Sequence, residues 1–168
     1  MAEPTTDARE ILTWELFGSA TRELAQTIAD SGFDADLVLA IARGGLTVAG
    51  SLAYALGVKN CGAMNVEFYT GVDTRLQVPV VLPPTLDMLD IRGLKVLVVD
   101  DVADTGETLR LVADVISDHV DEARTAVLYK KTRSIIDPEY VWKHTDLWIN
   151  FPWSSQAPVV TKSVVLDA

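Results

Sequence analysis

The chain has 168 residues, of which 49% are hydrophobic and 23% charged, and its formal net charge is −10. This length predicts a single domain, residues 1–168, able to bury a core unaided. The 24 acidic against 14 basic side chains argue against nucleic acid and anionic membranes as partners and favour small molecules. Without a signal peptide or an apolar run near 18 residues, we expect a cytoplasmic protein that does not span a membrane.

The first predicted element is an amphipathic helix over residues 13–33, after a polar stretch, 1–10, that we expect to be frayed. Thr13 is a suitable N-cap, and Gly32 can adopt the left-handed conformation that often ends a helix. Apolar residues recur every four positions and predict the buried face, namely Leu16, Ala20, Leu24 and Ile28.

A strand, a turn and a second helix are predicted next. The sequence LVLAI at 37–41 is an apolar run of strand length, ARGG at 42–45 is a turn, and 46–57 predict a helix that ends at Gly57. The lone Cys61 has no basic neighbour that would activate its thiol, so we interpret it as a buried small hydrophobic residue.

A long irregular segment is predicted in the middle of the chain. Residues 61–69 favour a further strand, whereas 70–94, with three prolines and two glycines, predict mainly a long loop or an irregular hairpin. Loops of this length in compact domains are often functional lids. We therefore expect 70–94 to be a mobile loop.

Strand, turn and helix then alternate again. Residues 95–99 predict a strand, 103–106 a turn and 106–120 a helix, and further strand candidates lie at 125–130 and 147–151. The strands at 37–41 and 95–99 are almost continuously apolar, as strands buried on both faces are. The sequence thus predicts an α/β fold with a mainly parallel central sheet flanked by helices.

Two turns are predicted to line one crevice, because ligands of such folds bind beyond the carboxyl ends of the strands. The second turn places Thr105, Gly106, Glu107 and Thr108 at a helix start, where exposed N–H groups, hydroxyls and the helix dipole suit a phosphate. Ordinary helix capping by Asp104 or Thr105 is the alternative interpretation of these residues.

Two adjacent carboxylates, Asp100 and Asp101, precede that turn. At 4 Å two such charges repel by about 1 kcal/mol in water and about 4 kcal/mol at an effective dielectric near 20. Carboxylates beside a phosphate suit ribose hydroxyls or a Mg²⁺ ion that bridges a sugar and a diphosphate. In the first turn, Arg43 and two glycines could contact a diphosphate or brace the chain. A sugar phosphate is the predicted ligand.

Other acid-bearing motifs do not fit this segment. A Walker A loop is absent from the sequence. Counted from Asp100, the glycine and glutamate positions of an EF-hand are occupied by Thr105 and Leu111. A response-regulator receiver carries its acidic pair after its first strand, but only 67 residues follow Asp101, too few for the rest of that fold.

The sequence VLVVDDVADTGET, residues 96–108, resembles the phosphoribosyl diphosphate signature of the type I phosphoribosyltransferases. Further segments are similar to the xanthine-guanine and other 6-oxopurine members of that family, over roughly residues 12–153: LAIARGGLTVAGSLAYALGV, YTGVDTR and LWINFPW. The resemblance implies the type I phosphoribosyltransferase fold, with a small hood formed by the N-terminal and C-terminal segments and a mobile catalytic loop at 70–94.

On the donor side, the resemblance implies that residues 104–108 hold the 5′-phosphate of phosphoribosyl diphosphate. It implies that Asp100 and Asp101 lie near the ribose hydroxyls and Mg²⁺, with Asp101 as the metal ligand, and that Arg43 and Gly44 form the diphosphate loop.

On the acceptor side, the resemblance implies that Asp104 lies near purine N7, that Lys130 donates to the 6-oxo group and that Trp148 stacks on the base. The backbone carbonyl of Ile149 would meet the exocyclic 2-position. Asn150 departs from the pattern, because xanthine-guanine enzymes commonly have an acid there, which leaves the preferred base open.

The reaction that the resemblance implies is displacement of pyrophosphate from C1 of the ribose by a purine nitrogen. Mg²⁺, Arg43 and Arg75, a loop arginine that contacts diphosphate, would neutralise the leaving group, and closure of residues 70–94 would exclude water. Asp104 and Arg75 are therefore the candidate catalytic residues, with Asp104 accepting or relaying the purine proton.

We expect a magnesium-dependent phosphoribosyltransferase of purine salvage that acts on guanine, xanthine or hypoxanthine. Two alternatives stay open at this point: transfer to a non-purine acceptor, and a regulator that senses phosphoribosyl diphosphate and binds nucleic acid, against which the net charge of −10 argues. By analogy with relatives of this architecture, a homo-oligomer, a dimer or tetramer, is expected.

Overall fold

A computed structural model of the protein describes residues 8–69, 78–82 and 91–160. Its helices and strands follow one another in the order β1 (Arg9–Ile11), α1 (Trp14–Asp30), β2 (Leu37–Ala42), α2 (Gly44–Leu56), β3 (Cys61–Tyr69), β4 (Val78–Leu82), β5 (Lys95–Ala103), α3 (Glu107–Ser117), β6 (Glu122–Lys130), β7 (Tyr140–His144) and β8 (Trp148–Asn150).

The central sheet has six strands in the order β4-β3-β2-β5-β6-β7. The five strands from β3 to β7 in that order pair in parallel, and β4 pairs antiparallel with β3 at one edge. The predicted α/β fold with a mainly parallel sheet is therefore confirmed. Strand β5 lies between β2 and β6, in the middle of the sheet, and is buried on both faces over most of its length.

Helices cover both faces of this sheet, and successive strand residues pack on opposite sides. Val38 and Ala40 of β2 belong to the core under α1 and α2, whereas Leu39 and Ile41 belong to the core under α3. Because every side chain of β2 meets a hydrophobic layer, the strand requires the unbroken apolar sequence that distinguishes it.

Helix α1 begins and ends where its capping residues predict. The Thr13 hydroxyl accepts a hydrogen bond from the Leu16 N–H at 3.1 Å, and Gly32 has the left-handed φ of 76°. The buried face was predicted less well, since Leu16 is exposed and Phe17 is buried. A spacing of four residues drifts by about 40° per step on a helix with 3.6 residues per turn, so the first member of the series leaves the buried face.

A second, small sheet joins the two ends of the described chain. Strands β1 and β8 pair in parallel, with Arg9 opposite Trp148 and Ile11 opposite Asn150. The expectation that 1–10 is frayed is wrong for residues 9 and 10, because the partner strand that orders them lies about 140 residues away. Strand β7 was also not predicted.

The segment predicted as a long loop contains an edge strand. Strand β4 lies within 70–94, with Pro79 in register with Phe68 of β3. A proline is tolerated at this position because an edge strand has no further neighbour that needs its missing N–H. Residues 91–94 are also described, and they form a turn in which Ile91 is buried. For the rest of 70–94 the predicted mobility concerns residues outside the described ranges.

Cys61 is exposed at the beginning of β3, so its prediction as a buried residue is wrong. A strand's first residue lies at the rim of the sheet, where the flanking helices give less cover. Among the described residues, no helix is both long and apolar enough to cross a membrane. Cytoplasmic localisation and a homo-oligomer stay predictions.

Replacing Thr13 by Ala should lower the free energy of unfolding by about 1 kcal/mol, because the hydroxyl that caps the first turn of α1 is lost. Urea unfolding of the purified protein measures the change. Thr13→Ser is the matched control, since it keeps the hydroxyl and should retain nearly full stability. Equal losses in both variants would contradict a capping role.

Candidate active site

The turns after β2 and β5 meet because these strands are neighbours with aligned carboxyl ends. A Cβ on Gly44 would lie 2.0 Å from a carboxylate oxygen of Asp101, and one on Gly45 would lie 2.5 Å from the carbonyl oxygen of Val99. The backbone of β5 leaves no room for a side chain at Gly45, whereas a side chain at Gly44 would displace the Asp101 carboxylate. The predicted meeting of ARGG and DDVADTGET in one crevice is confirmed, and the Ala42–Arg43 peptide bond in the first turn is cis.

Asp100 and Asp101 occupy consecutive positions on β5, which continues to Ala103. Desolvation and then the charge of Asp101 raise the pKa of Asp100 well above its ordinary value. The pKa of Asp101 is also raised by desolvation, although hydrogen bonds, including one from the Trp153 side chain, act in the opposite direction. The Asp101 N–H donates to Asp100 Oδ1 at 2.9 Å. This pair of carboxyl groups favours a nearby cation or proton.

The start of α3 forms the floor of a cavity of about 280 Å³. The helix N-cap is Gly106, with φ of 80°, and it has no side chain that could cap the first turn. Thr105 Oγ1 lies 3.4 Å from the Glu107 amide, a long hydrogen bond. The cavity is lined by the whole predicted phosphate segment, namely Asp104, Thr105, Gly106, Glu107 and Thr108, together with Asp100, Val102 and Leu109.

A Cβ on Gly106 would lie 2.5 Å from Ser134 Oγ and 3.2 Å from the Ile135 amide nitrogen. This glycine is thus required for its positive φ and also for the close approach of the β6–β7 connection. The Ile135 N–H donates to the Thr105 carbonyl at 2.8 Å, and the Lys131 N–H donates to the Ala103 carbonyl at 3.0 Å. The β6–β7 connection is therefore hydrogen-bonded to the 103–106 turn at Ala103 and at Thr105.

A second cavity, of about 390 Å³, adjoins the first one, and Val102 and Asp104 line both. Its polar lining includes Arg9, Lys131 and Asn150, and its aromatic lining includes Trp148, which is 67% exposed. Ile149 and Phe151, also in the lining, are buried. The accessible ring of Trp148 is thus available to a planar ligand.

Asp104 stands in the shared wall and is held by cations from the β6–β7 connection. Arg133 donates through Nε to Oδ1 at 2.7 Å and through Nη2 to Oδ2 at 2.6 Å. The ammonium of Lys131 lies 3.7 Å from Oδ1 and 6.0 Å from the centre of the Trp148 ring. Lys131 is only 9% exposed, so these neighbours replace most of the water around its side chain.

Lys130, the lysine predicted to contact the base, is directed elsewhere. It ends β6 and forms an ion pair with Asp137, whose carboxylate is exposed, and Lys130 is not among the residues that line the second cavity. The neighbouring Lys131 occupies that place instead. Because β6 is buried on both faces up to Tyr129, the apolar pattern could not indicate which of two consecutive lysines faces the cavity.

A third cavity, of about 1030 Å³, lies on the other side of Asp101. Arg43, Gly44 and Thr47 line it from the start of α2, and Trp153 lines it from the segment after β8. Trp153 is fixed by a stacked contact with Phe151, their ring centres 4.9 Å apart. The cavity thus joins the predicted diphosphate loop to the acidic pair.

Most of the predicted site residues fall around these three cavities. Arg75 lies outside the described residues, so its predicted role is untested. Sequence reasoning missed Arg9, Lys131 and Arg133 because none belongs to a motif and each acquires its place through a long-range contact. The clustering of Lys130, Lys131 and Arg133 in the sequence is the signal that could have indicated Lys131 and Arg133.

The described residues contain no group of three or more His, Cys, Asp or Glu side chains that could hold a metal by themselves. The acidic pair of Asp100 and Asp101 is nevertheless a suitable donor set for Mg²⁺, which usually binds one or two carboxylates and takes its other ligands from water and substrate phosphates.

Comparisons of the sequence and of the structure with known proteins identify the same family. The family model described as the phosphoribosyl transferase domain matches residues 7–158. A xanthine-guanine phosphoribosyltransferase of Nitratidesulfovibrio vulgaris is 30% identical over 155 residues, covering 91% of this chain and 89% of that protein. One of the same name from Gluconobacter oxydans is 29% identical over 164 residues, covering 96% and 94%. The crystal structure of a purine phosphoribosyltransferase from Pyrococcus horikoshii is 32% identical, with a TM-score of 0.78, covering 92% of this chain and 99% of that one.

Replacing Asp100 by Asn should stabilise the protein at neutral pH by about 0.5 to 2 kcal/mol, the usual range for a single stabilising substitution. The raised pKa of Asp100 means that the fold binds its proton more tightly than the unfolded chain does. Its contribution to stability is therefore present at low pH and lost as pH rises through the folded pKa, so the gain of Asp100→Asn should shrink towards acid pH.

Thermal unfolding across a pH series measures this effect. Asp114→Asn is the matched control, because Asp114 forms an exposed pair with Arg110 and its loss should cost about 0.3 to 0.5 kcal/mol. If Asp100→Asn is less stable than the natural protein at neutral pH, the charge of Asp100 does not destabilise the fold and the prediction is wrong.

Proposed function

This chain belongs to the phosphoribosyltransferase family, and from that membership we propose that it transfers the 5-phosphoribosyl group of phosphoribosyl diphosphate to a 6-oxopurine base, releasing pyrophosphate. The main observation in support of the proposal is that the three cavities adjoin one another around the end of β5. A phosphate-sized cavity at the start of α3 and a cavity with an accessible Trp148 share Asp104, and the diphosphate turn lies on the other side of the acidic pair. Donor and acceptor can therefore meet above β5.

The donor would lie along the end of β5. The N–H groups at the start of α3, with the hydroxyls of Thr105 and Thr108, receive the 5′-phosphate, whose charge is favoured by the helix dipole. Asp100 and Asp101 accept hydrogen bonds from the ribose hydroxyls. Arg43 neutralises the diphosphate beside Gly44, as the leaving group requires when its bond to C1 breaks.

Mg²⁺ fits this site, with Asp101 as its protein ligand and Asp100 beside it. When bound, the ion would supply positive charge to the diphosphate and relieve the repulsion between the two carboxylates. The raised pKa values of both groups support this assignment, because desolvated carboxyls without a cation favour their protonated forms. We retain the predicted contact of Arg75 with the diphosphate as part of the proposal.

The base would stack on Trp148, with its 6-oxo group at Lys131 and its imidazole edge at Asp104. Lys131 replaces Lys130 in this role because its ammonium group lies in the cavity and Lys130 is paired with Asp137. Asp104 accepts or relays the proton that the purine loses as its nitrogen attacks C1. Arg133, which binds both oxygens of Asp104, acts as a positioning residue for that carboxylate.

Two neighbouring parts of the chain would exclude water from the reaction. The small sheet of β1 and β8 forms the hood over the base, together with Ile149, whose backbone carbonyl faces the exocyclic 2-position. Closure of the segment 70–94 over the site, which the family resemblance implies, is part of this proposal. Exclusion of water protects the oxocarbenium-like transition state from hydrolysis and strengthens the electrostatic contacts to the leaving group.

The direct test is incubation with phosphoribosyl diphosphate and Mg²⁺ and a panel of guanine, xanthine, hypoxanthine, adenine, uracil and orotate, with pyrophosphate release as the readout. We expect turnover with one or more 6-oxopurines, and loss of turnover when the metal is chelated. Release only with uracil or orotate would establish a non-purine acceptor, and absence of release with every base would refute the proposal.

Replacing Lys131 by Met should raise KM for the base about 10- to 100-fold, since a hydrogen bond from a charged donor to the 6-oxo group is lost while the volume of the side chain is kept. Lys130→Met is the matched control and should change KM by about twofold or less, as expected for a lysine outside the cavity. Steady-state kinetics at saturating phosphoribosyl diphosphate distinguish the two. A larger effect for Lys130→Met would restore the assignment to Lys130.

A further inference from the structure

The cavity that we propose for the base has walls from two separate segments of the chain. Lys131 directly follows β6, Trp148 begins β8, and both line this cavity. The ammonium of Lys131 lies 6.0 Å from the centre of the Trp148 ring. A base that stacks on this ring and places its 6-oxo group at the ammonium needs both groups at a fixed separation. Binding of the base therefore depends on how the two segments are held together.

The two segments are joined through the side chain of Asp146. Thr132 comes directly after Lys131, and Asp146 comes two residues before Trp148. The Thr132 N–H donates to Asp146 Oδ1 at 2.9 Å, and the Thr132 hydroxyl lies 2.9 Å from Oδ1 and 3.0 Å from Oδ2. A carboxylate that accepts from the backbone and from the side chain of one residue restricts both the position and the orientation of that residue.

The Thr132–Asp146 contact begins where the pairing of β6 with β7 ends. The two strands pair in parallel as far as Lys130 and His144, and the Thr145 N–H donates to the Lys130 carbonyl at 3.1 Å. Beyond these residues both strands have ended, and the Asp146 carboxylate takes the place of a backbone acceptor for the Thr132 N–H. The alignment of the sheet is thereby extended to the residues that enter the cavity.

The Asp146 carboxylate also faces the two cations on either side of Thr132. Hydrogen bonds from the Thr132 N–H and then from its hydroxyl lower the pKa of Asp146, and the charges of Lys131 and Arg133 act in the same direction. Arg133 in turn binds both oxygens of Asp104. Thr132 and Asp146 are exposed, and neither is among the described residues that line the cavity. Their influence on a bound base must therefore pass through neighbours that do line it.

We propose that Asp146 is a positioning residue for the acceptor base, which sets the place of Lys131 relative to Trp148 by holding Thr132. The inference rests on the proposed transfer to 6-oxopurines and adds the residue that aligns the two contacts to the base. Without the Asp146 carboxylate, the N–H and the hydroxyl of Thr132 lose their acceptor, and Lys131 is no longer held at its distance from the ring. Since a misplacement of about 1 Å can cost about 100-fold in rate, a change at this exposed contact reaches the site.

The test measures KM for the base and for phosphoribosyl diphosphate in Asp146→Ala, Asp146→Asn and Thr132→Val. In Asp146→Ala, KM for the base should rise about 10-fold, as for loss of a charged hydrogen bond, while KM for phosphoribosyl diphosphate changes about twofold or less. Asp146→Asn keeps an oxygen that accepts from Thr132, so it should recover most of the natural KM for the base. Thr132→Val loses only the hydroxyl and should lie between Asp146→Ala and the natural protein.

Asp137→Ala is the matched control, because Asp137 is an exposed carboxylate on the same connection and pairs with Lys130. This variant removes the same charge and should change KM for the base by about twofold or less.

A double variant tests whether Asp146 acts through Lys131. Added to Lys131→Met, the substitution Asp146→Ala should raise KM for the base by only about twofold or less, because the group that Asp146 positions is already absent. A merely structural role of Asp146 predicts instead the same fold-change in both backgrounds.

Binding measurements give a readout that does not require turnover. Inosine monophosphate carries the base, the sugar and the phosphate, whereas ribose 5-phosphate lacks the base. In Asp146→Ala the calorimetric Kd of inosine monophosphate should rise about 10-fold, and that of ribose 5-phosphate should change about twofold or less. Circular dichroism reports whether each variant is folded.

The outcomes separate this inference from the proposed function. If no 6-oxopurine supports pyrophosphate release in the natural protein, the proposed function fails. If 6-oxopurines are substrates but folded Asp146→Ala keeps the natural KM for the base, or raises both KM values equally, only the positioning role is overturned. Equal effects of Asp146→Ala with and without Lys131→Met would overturn it as well. If Asp146→Ala does not fold, Thr132→Val decides the question by the same two KM values.

Discussion

The site depends on how the fold accommodates two adjacent carboxyl groups at the end of its central strand. Asp100 and Asp101 are both desolvated, and the charge of Asp101 makes the charged form of Asp100 less favourable still. The surroundings accommodate the pair in part: Gly44 leaves room for the Asp101 carboxylate, and the Asp101 N–H donates a hydrogen bond to Asp100 Oδ1. The remaining demand for positive charge and hydroxyl donors is the chemical reason why a magnesium-bound sugar diphosphate suits this position.

The other functional groups are arranged around that pair by the parallel sheet. Since β2 and β5 are neighbours, the diphosphate turn and the phosphate segment flank the acids, and the connection after β6 adds Lys131 and Arg133 to Asp104. The same connection is hydrogen-bonded to the 103–106 turn at both ends. The cavity lined by Trp148 and the cavity at the start of α3 are thus connected through these hydrogen bonds, and a substitution in the connection should affect both cavities.

Several features could be predicted from local sequence because local interactions control them. Thr13 caps α1 through a hydrogen bond to a residue three positions away, and the almost continuously apolar stretches at 37–41 and 95–99 are typical of strands whose two faces are both covered. Predictions were wrong where contacts with residues far away in the sequence determine the local structure or the burial of a side chain. The order of residues 9 and 10 depends on β8, and the exposure of Cys61 depends on where the helices end their cover of the sheet.

The sequence by itself determined the fold class, the family resemblance and the proposed donor side of the site. The residues that would bind the phosphate and ribose are contiguous, so their order along the chain largely determines how they are arranged in space. Tertiary structure decided the acceptor side. The cavity proposed for the base is lined by Arg9, Asp104, Lys131 and Asn150, which come from four separate segments. The two consecutive lysines differ in position, since Lys131 lines this cavity and Lys130 pairs with Asp137. Residues that are far apart in the chain do not form a sequence motif with a characteristic spacing. Their contacts can therefore be identified only in the folded structure.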